Sequence, residues 1–411
     1  MGRMRRNKHV RRRVEELANR AKKLVRPELK LEDWNALQLS SAGLKGILRS
    51  KDIEFSVDPS VELFQRYYKG PGQPALVLGI VDKWPAYRKW TFDWFEKKFR
   101  NQFFKIGEDD HGKAVKMRMK YFVVYMENNS DDAPLNIFDS TFGEREVTRK
   151  LLADYTEPKY FAKNWFKFCD PSRTPPNRWL VIGPARSGTG IHVDPMGTSA
   201  WNALLQGEKL WVLFPPDTPK KLLRIPKNAK DKTLGEEAIR WFRCVYPETQ
   251  KESWPYEYRP TVHVQRRGEL IFVPSGWWHV VLNLSDTVAV TENFCDESNF
   301  LNCYRATRRS RPKFCEHWLN TIRRCHPEAV GLFPSIFGPS VNEGNESESS
   351  TSESSSSSDD ECEVCQTESG KESLVSSDSS DESSSEVSRK RMASSSSGPE
   401  SRRHRQDEDD E

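Results

Sequence analysis

Residues 188–216 read GTGIHVDPMGTSAWNALLQGEKLWVLFPP, and this stretch decides how the fold is interpreted. At its centre His192 and Asp194 lie two residues apart within an apolar run. In an extended strand such residues point to the same face, so one nitrogen and one oxygen ligand would converge on a single point. A third candidate ligand, His279, follows 85 residues after Asp194 in the segment PSGWWHVVLNL. Two histidines and one carboxylate form the facial triad of non-haem Fe(II) oxygenases, which is our hypothesis for this site.

Short apolar runs separated by Gly and Pro turns surround these residues and predict a mostly β core with flanking helices. Two of the runs, Ala200–Leu205 and Lys209–Phe214, flank Gly207 and predict a hairpin. Further strands are predicted at Trp179–Pro184, Gly268–Pro274, Trp277–Leu284 and Thr287–Phe294. This pattern indicates a double-stranded β-helix, the jelly roll of cupins, whose interior can hold one metal ion and one small ligand.

Lys209 shares one face of its predicted strand with Trp211 and Leu213, because side chains alternate along a strand. A lysine that points into a barrel interior is costly unless its ammonium meets an anion. The alternative is that Lys209 begins the strand and stays exposed. Beside the candidate metal triad we favour the inward lysine and an anionic ligand.

Two other features of this region were weighed as sites. His263, in the possible strand TVHV, is the only rival for the third metal ligand, and we rank it well below His279. The loop 185–190 contains glycines, but it lacks the spacing and the Lys-Ser/Thr ending of a phosphate loop. We therefore reject nucleotide binding at this loop.

The net charge of +4 over 411 residues conceals a strong asymmetry along the chain. Residues 1–30 contain 12 Lys and Arg against three Glu, a cluster typical of nuclear localisation signals or nucleic-acid contacts. An apolar series from Val14 to Leu24 falls at helical spacing and also fits a solvated helix. Residues 113–126 add a second basic segment, for which solvation or contact with RNA or an acidic peptide are the alternatives. We expect a nuclear protein.

Composition divides the chain into five regions. They are a basic arm (1–30), an α/β segment that packs on the barrel (31–173), the jelly-roll core (174–300), a helical region (301–339) and a Ser-rich acidic tail (340–411). The tail cannot bury enough apolar area to fold, so we expect it to be disordered. Aromatic and aliphatic residues every fourth position in the helical region predict a capping or dimer-forming helix, which makes a homo-oligomer possible.

Several protein classes are disfavoured by what the sequence lacks. No apolar run approaches the roughly 18 residues of a membrane span, and the basic N-terminal segment is not followed by an apolar signal region. A membrane receptor is therefore a poor interpretation. The eight cysteines are scattered, and reduced thiols are expected. Cys362 and Cys365 form a lone C-x-x-C without a second pair. Zinc binding or redox use is the alternative for this pair, and we favour a chance occurrence.

The segments HVDPMGTSAWNALLQGEKLWVLFP and FVPSGWWHVVLNL resemble the Jumonji C (JmjC) family of 2-oxoglutarate oxygenases. The resemblance covers residues 26–329 and extends in character to the poly-serine tail. It implies a JmjC jelly-roll domain that uses Fe(II), 2-oxoglutarate as co-substrate and dioxygen. His192, Asp194 and His279 match the family's iron ligands, which the chemistry would require.

Four further positions match the family's co-substrate site. Lys209 matches the lysine that pairs with the distal carboxylate of 2-oxoglutarate, and Thr291 matches its hydroxyl partner. Asn202 and Thr189 match further positions of that site. One position departs from the pattern: Asn136 stands in the segment PLNIFD where the resemblance leads us to expect a tyrosine, so a phenolic contact near the site is in question.

The resemblance also implies a reaction. Oxidative decarboxylation of 2-oxoglutarate to succinate and carbon dioxide would drive oxidation of a protein side chain. The expected outcome is lysyl 5-hydroxylation of Arg/Ser-rich splicing factors or histone tails, with demethylation of methyl-arginine as a possible second activity. RNA is a possible further partner.

Two other functions compete with this interpretation. A zinc or manganese cupin, such as a sugar isomerase, could use the same two histidines and one carboxylate, but an inward Lys209 suits a dicarboxylate better than a neutral sugar. A chromatin or RNA-binding scaffold with a catalytically dispensable oxygenase fold would suit the basic arm and the acidic tail. The intact triad and lysine weigh against such a degenerate enzyme.

Overall fold

A computed structural model describes residues 8–42, 53–169, 173–337 and 373–374. These residues belong to the first of two units, Met1–Val375. Of the Ser-rich acidic tail, only residues 373–374 are described. The predictions for the rest of the tail, including the C-x-x-C at Cys362 and Cys365, concern residues outside the described ranges.

The strands of the described residues are short and are numbered in chain order. They are Phe55–Val57 (β1), Ala75–Leu78 (β2), Phe103–Glu108 (β3), Ala114–Arg118 (β4), Ile137–Asp139 (β5), Arg178–Gly183 (β6), Gly188–His192 (β7), Ser199–Gln206 (β8), Glu208–Phe214 (β9), Thr261–Arg266 (β10), Leu270–Val273 (β11), Trp278–Asn283 (β12), Thr287–Phe294 (β13) and Ser373–Leu374 (β14).

The helices lie mainly before and after the core strands, and 3₁₀ turns such as Pro195–Gly197 connect many of the elements. They are Lys8–Val25 (α1), Leu39–Ala42 (α2), Val61–Phe64 (α3), Pro85–Lys89 (α4), Phe92–Phe99 (α5), Met119–Asn128 (α6), Lys220–Leu223 (α7), Ala238–Cys244 (α8), Tyr246–Thr249 (α9), Phe300–Ser310 (α10), Pro312–Cys325 (α11), Pro327–Leu332 (α12) and Pro334–Phe337 (α13). None of these described helices has the length and apolar character that a membrane crossing requires.

Two sheets form the core. The large sheet has the strand order β1-β2-β11-β8-β13-β6-β5, and the small sheet has the order β10-β9-β12-β7. From β6 to β13 every connection except β9–β10 crosses from one sheet to the other. Four strands of each sheet thereby form a double-stranded β-helix, which confirms the predicted jelly-roll fold.

The predicted hairpin between β8 and β9 is wrong, although both strands are present. β8 pairs with β11 and β13 in the large sheet, whereas β9 pairs with β10 and β12 in the small sheet. Gly207 carries the chain between the sheets with φ = +81°, a conformation that favours glycine. Two apolar runs around a glycine look alike in both topologies, so the sequence pattern did not separate them.

Each sheet buries its outer face against helices. Trp201 and Val290 of the large sheet join the main core with α1, α5 and α6. Leu210 and Phe214 of the small sheet pack with Trp241 of α8. Between the sheets, apolar residues cluster around Trp211, Leu213, Ile271 and Val281. The rest of the inner surface carries polar side chains, and these form the candidate site.

Helix α1 shows that the basic segment is part of the folded unit. Val14, Leu17 and Ala21 are buried in the main core. The ammonium of Lys22 donates to Asp131 Oδ1 at 2.6 Å, and both side chains are nearly buried. Arg11 and Arg12 lie on the exposed face. The helical pattern in this segment is therefore confirmed, but one face of the helix is buried rather than solvated.

The basic segment 113–126 is less open than an exposed strand face would be. β4 ends at Arg118, and the following aliphatic-aromatic run forms the buried helix α6. Lys116 is buried and Arg118 is half-buried. Ser373–Leu374 pairs in parallel with Val115 and Lys116 of β4. Strand alternation predicted the basic residues of β4 but not their burial.

The helical region after the core strands follows the predicted fourth-residue pattern. Trp318 and Ile322 of α11 are buried with Phe300 of α10 and Phe337 of α13. Helix α10 begins beside the turn Pro195–Gly197, because the Cys303 thiol donates to Gly197 O at 3.2 Å. This packing attaches the C-terminal helices to the segment that follows the candidate metal ligands.

Candidate metal centre and co-substrate site

His192 and His279 face each other across the small sheet. β7 and β12 are antiparallel neighbours in which His192 lies directly opposite His279, and the two ring centroids are 4.1 Å apart. Asp194 lies beyond the end of β7, immediately before the turn Pro195–Gly197. The expectation that His192 and Asp194 share a strand face is wrong, because the strand ends at His192. The turn nevertheless brings the carboxylate to the same point.

The three side chains converge as metal ligands must. Asp194 Oδ1 lies 3.9 Å from the Nε2 atom of His192 and 3.9 Å from that of His279. One ligand atom from each residue lies within 4.8 Å of the others. Across the described ranges this is the one group of three or more His, Cys, Asp or Glu side chains with such an arrangement. Two nitrogens and one oxygen on one side of a shared point are the donor set of a 2-His-1-carboxylate iron site.

Backbone carbonyls orient both imidazoles. His192 Nδ1 lies 2.8 Å from Gly190 O, and His279 Nδ1 lies 3.0 Å from Trp277 O. Because a carbonyl only accepts, each Nδ1 carries the proton and each Nε2 presents its lone pair to the shared point. Burial and the neighbouring His279 lower the pKa of His192 well below its usual range, which favours the neutral, ligating form.

His263, the rival third ligand, lies outside this group. It is buried on β10 opposite Trp211, and its Nε2 lies 3.1 Å from Glu269 Oε2. Glu269 therefore engages the Nε2 atom with which His263 would otherwise bind a metal ion. The structure therefore supports the ranking of His279 above His263.

Lys209 lies on the inner face of β9 and is only 3% exposed. Among the described residues, no hydrogen bond or ion pair reaches its ammonium, and burial lowers its pKa to about 8. Leu213, which lies opposite His279, is four residues further along β9, or ~13 Å. Lys209 is too far away to be a metal ligand, so it can serve the metal site only through a molecule that extends between them.

The large sheet contributes a facing row of polar residues. Asn202 of β8 lies opposite Thr291 of β13, which in turn lies opposite Trp179 of β6. The Thr291 hydroxyl donates to Trp201 O at 2.8 Å. Asn202 Oδ1 is buried without a hydrogen-bond partner. The structure thus places Asn202 and Thr291 side by side, as their matching to one site requires.

Thr189 reaches the inner face through an irregularity of β7. His192 lies opposite His279, but Thr189 lies opposite Val281. Three residue steps along β7 therefore correspond to two steps along β12. Such a β-bulge reverses the alternation and lets both Thr189 and His192 face inward. Thr189 is exposed, at the open side of the site.

Asn283 is a site residue that the sequence reasoning missed. It is buried on β12 directly opposite Lys209, its amide donates to Ser187 Oγ at 2.8 Å, and its Oδ1 has no partner. The signal was present, because His279, Val281 and Asn283 follow the period of two. Asn136 and Asn283 both approach Gly183. A Cβ added to that glycine would lie 3.0 Å from Asn136 Cβ and 2.9 Å from Asn283 Nδ2.

The residues present fit a metal ion with a bound dicarboxylate. Three ligand atoms converge, and Asp194 Oδ2 is buried without a partner. At the other end the unpaired ammonium of Lys209 would be neutralised by a carboxylate. Unsatisfied amide oxygens on Asn202 and Asn283 mark polar surface that a ligand or water would complete.

Comparisons with known proteins agree with this geometry. The family model described as "JmjC domain, hydroxylase" matches residues 179–294, the range that contains β6 to β13. The bifunctional arginine demethylase and lysyl-hydroxylase psr-1 of Caenorhabditis elegans is 45% identical over 80% of this chain and 82% of its own length.

More distant relatives match a smaller share of the chain. The arginine-specific demethylase JMJ22 of Arabidopsis thaliana is 35% identical over 62% of this chain and 48% of its own length. The 2-oxoglutarate and iron-dependent oxygenase JMJD4 of Homo sapiens is 31% identical over 46% of this chain and 45% of its own length.

Proposed function

This chain belongs to the JmjC family of Fe(II)- and 2-oxoglutarate-dependent oxygenases, and from that premise we propose that it hydroxylates lysyl residues of proteins and demethylates methyl-arginine as a second activity. Its cofactors are Fe(II) and 2-oxoglutarate. The observation that carries the proposal is the unpaired, buried ammonium of Lys209 on the same inner surface as the triad. The similarity to psr-1 supports the choice of substrates.

In this proposal the residues divide the work between two ends of one cavity. His192, Asp194 and His279 would hold the iron, while Lys209 would bind the distal carboxylate of 2-oxoglutarate. Thr291 would join Lys209 by turning its hydroxyl proton from Trp201 O to that carboxylate. When bound, Fe(II) and 2-oxoglutarate would activate dioxygen, which oxidises 2-oxoglutarate to succinate and carbon dioxide and inserts one oxygen atom into the protein side chain. The two sheets orient the co-substrate and exclude water from the cavity.

We propose Arg/Ser-rich splicing factors and histone tails as the protein substrates. An aromatic surface beside the co-substrate row supports basic substrates. Phe138 is 39% exposed and stacks on Trp179 with ring centroids 5.6 Å apart. Trp179 lies opposite Thr291, so this pair is on the inner side of the large sheet. Aromatic faces bind ammonium and guanidinium groups by cation–π attraction.

We further propose that the protein acts in the nucleus. The exposed Arg11 and Arg12 of α1 and the basic residues 389–391 are the two candidate signals. Fluorescent fusions test this proposal, with the basic residues of one signal, or of both signals in a double variant, replaced by glutamine. Nuclear exclusion of the double variant is expected, and unchanged distribution of that variant would contradict both candidate signals.

Activity is tested by incubating the protein with Fe(II), ascorbate, 2-oxoglutarate and peptides that contain lysine or methyl-arginine. Mass spectrometry should show a gain of one oxygen on lysine, or loss of a methylene from arginine, together with succinate. His192→Ala should abolish succinate formation and metal binding, whereas the matched variant His263→Ala should retain both.

Each alternative predicts a different result. A zinc or manganese isomerase would release no succinate with any peptide. A scaffold would bind its partners normally but fail to bind 2-oxoglutarate, and His192→Ala would leave its cellular effects intact. Succinate release that His192→Ala does not reduce would contradict the proposed metal site.

A further inference from the structure

The arginine corner, defined as Arg305, Arg308, Arg309, Arg311 and Lys313, joins the end of α10 to the start of α11. All five side chains are exposed. Across residues 8–42, 53–169 and 173–337 no carboxylate lies within ion-pair distance of any of them. Residues 300–325, which comprise α10, Arg311 and α11, contain seven Lys and Arg against one acidic residue, Glu316. Such a concentration of uncompensated cations on two helices attracts a polyanion.

The chain itself supplies a polyanion close to this corner. α13 ends at Phe337, whose ring stacks on Phe300 of α10 with centroids 5.6 Å apart. Six residues later begins the acidic segment, residues 343–363, which contains eight Asp and Glu, nine Ser and no Lys or Arg. Six extended residues reach ~20 Å. A short tether makes the local concentration of the acidic segment high without any need for a tight contact.

We propose that the acidic segment binds the arginine corner of the same chain. Guanidinium groups pair with carboxylates in a bidentate geometry, which favours arginine at such a surface. Each phosphorylated serine would add a charge of about −1.5 to −2 and three acceptor oxygens. Phosphorylation of the acidic segment therefore strengthens the contact, and occupation of the corner excludes other polyanions, including RNA.

The corner lies close to the segment that follows the metal ligands. Asn302 at the start of α10 donates to Ser275 Oγ at 3.1 Å, and Ser275 donates to Gly197 O at 2.7 Å. Cys303, which also contacts Gly197, lies two residues before Arg305, the first residue of the corner. The start of the corner is therefore close in the chain to the residues that attach α10 to this segment.

Zero-length carbodiimide cross-linking of the full chain tests the contact, because it joins an ammonium only to a carboxylate that touches it. Lys313 should cross-link to carboxylates of residues 343–363. In an equal mixture of ¹⁴N- and ¹⁵N-labelled protein, both halves of each product should carry the same label. Raising the salt concentration from about 50 mM to about 500 mM should reduce the yield severalfold, because exposed charges are screened.

Two matched variants locate the contact. The corner variant R305Q/R308Q/R309Q/R311Q keeps Lys313 and should lose at least about nine tenths of the cross-links, since an exposed multivalent contact depends on its charge number. The control variant R11Q/R12Q/R20Q/K23Q removes four exposed cations from α1 and should keep them. Equal yields from both variants would overturn the proposal, as would products that carry mixed labels, which indicate a second copy.

RNA binding provides an independent measurement that needs neither iron nor activity. If the acidic segment occupies the corner, replacing its eight carboxylates by amides should tighten the binding of a short single-stranded RNA. Phosphorylation by an acid-directed serine kinase should weaken it. An RNA affinity that is the same in the native chain and the amide variant would show that the acidic segment does not compete with RNA, and would overturn the proposal.

Discussion

The ammonium of Lys209 is buried between the two sheets without a counter-ion among the described residues. Its pKa falls from 10.5 to about 8, so the fold resists the charged form. At about 1.4 kcal/mol per pKa unit, charging Lys209 in the folded protein costs on the order of 3 kcal/mol. This penalty is complete below pH 8 and disappears as the pH rises towards 10.5. A carboxylate that binds beside the Lys209 ammonium would offset this cost and raise the stability of the folded protein.

The first prediction is that Lys209→Met has opposite effects on stability and on function. At pH 7 the variant without ligand should unfold with a free energy higher by up to ~3 kcal/mol, because a buried charge is removed. Its affinity for 2-oxoglutarate should fall by about a hundredfold or more. Denaturant unfolding and anaerobic calorimetry measure the two effects. The exposed Lys221 is the control, and Lys221→Met should change neither.

The second prediction concerns pH. Because the free Lys209 ammonium has a pKa of about 8, the dissociation constant for 2-oxoglutarate should rise about tenfold per pH unit above that value. Binding to the Mn(II)-loaded protein between about pH 7 and pH 9.5 measures this. Lys209→Arg should flatten the dependence, since a guanidinium stays charged throughout. A flat profile in the native protein would show that Lys209 does not hold the co-substrate.

The third prediction distinguishes residues that bind the peptide from residues that bind the co-substrate. Phe138→Ala removes the exposed half of the stacked pair and should raise KM for a basic peptide about fivefold, as a cation–π contact of ~1 kcal/mol implies. The dissociation constant for 2-oxoglutarate should stay the same, because Phe138 does not belong to the Asn202–Thr291 row. Initial rates at varied peptide concentration test it, with the exposed Tyr256→Ala as control.

Among the elements, the link between β8 and β9 carries the chain from the large sheet to the small sheet. Gly207 combines φ = +81° with a close approach, since a Cβ there would lie 2.2 Å from Asp286 O. Gly72 also has a positive φ, of +67°, but nothing lies within 4 Å of its would-be Cβ. A side chain at Gly72 would meet backbone strain alone, whereas a side chain at Gly207 would meet the same strain and a steric clash.

The fourth prediction uses this pair. Gly72→Ala should cost ~1 kcal/mol of unfolding free energy, the price of a left-handed conformation alone. Gly207→Ala should cost at least ~3 kcal/mol, because a clash with a backbone oxygen is added to the strain. Denaturant unfolding of the two variants checks the difference. Equal costs would mean that the crossover between the sheets tolerates a side chain.

At the scale of the whole molecule, the N-terminal helix is held against the core by a buried ion pair. Lys22 donates to Asp131 Oδ1, and Tyr125 donates to Asp131 Oδ2 at 2.6 Å. Asp131 is 4% exposed, so it depends on these partners. Arg186 also donates to the backbone carbonyl of Asp131, which links α1 to the loop that precedes β7.

The fifth prediction is that Lys22→Met destabilises the folded protein by about 3 kcal/mol or more, because it leaves the Asp131 charge buried without its cation. Lys23→Met, next to it on the exposed face, should change stability by less than ~0.5 kcal/mol. Thermal unfolding compares the two. If both variants behave alike, α1 is not anchored by this pair.

Much of the candidate site follows from local pattern. The period of two placed Lys209 with Trp211 and His279 with Val281 on inward faces, and the same period would have identified Asn283. The start of α5 is also local, because the Thr91 side chain accepts from Trp94 N. These features depend on neighbours along the chain, so they can be predicted from residue order alone.

Other features depend on distant segments meeting. Apolar runs around Gly207 predicted two strands, but only packing of the two sheets decided that they part. The strand ends at His192, so a turn and not the strand period brings Asp194 to the histidines. The bulge at Thr189 and the burial of α1 are likewise set by partners far along the chain. Residue order determined which side chains are available for the chemistry, whereas tertiary structure decided where they meet, because register and sheet membership are fixed by long-range pairing.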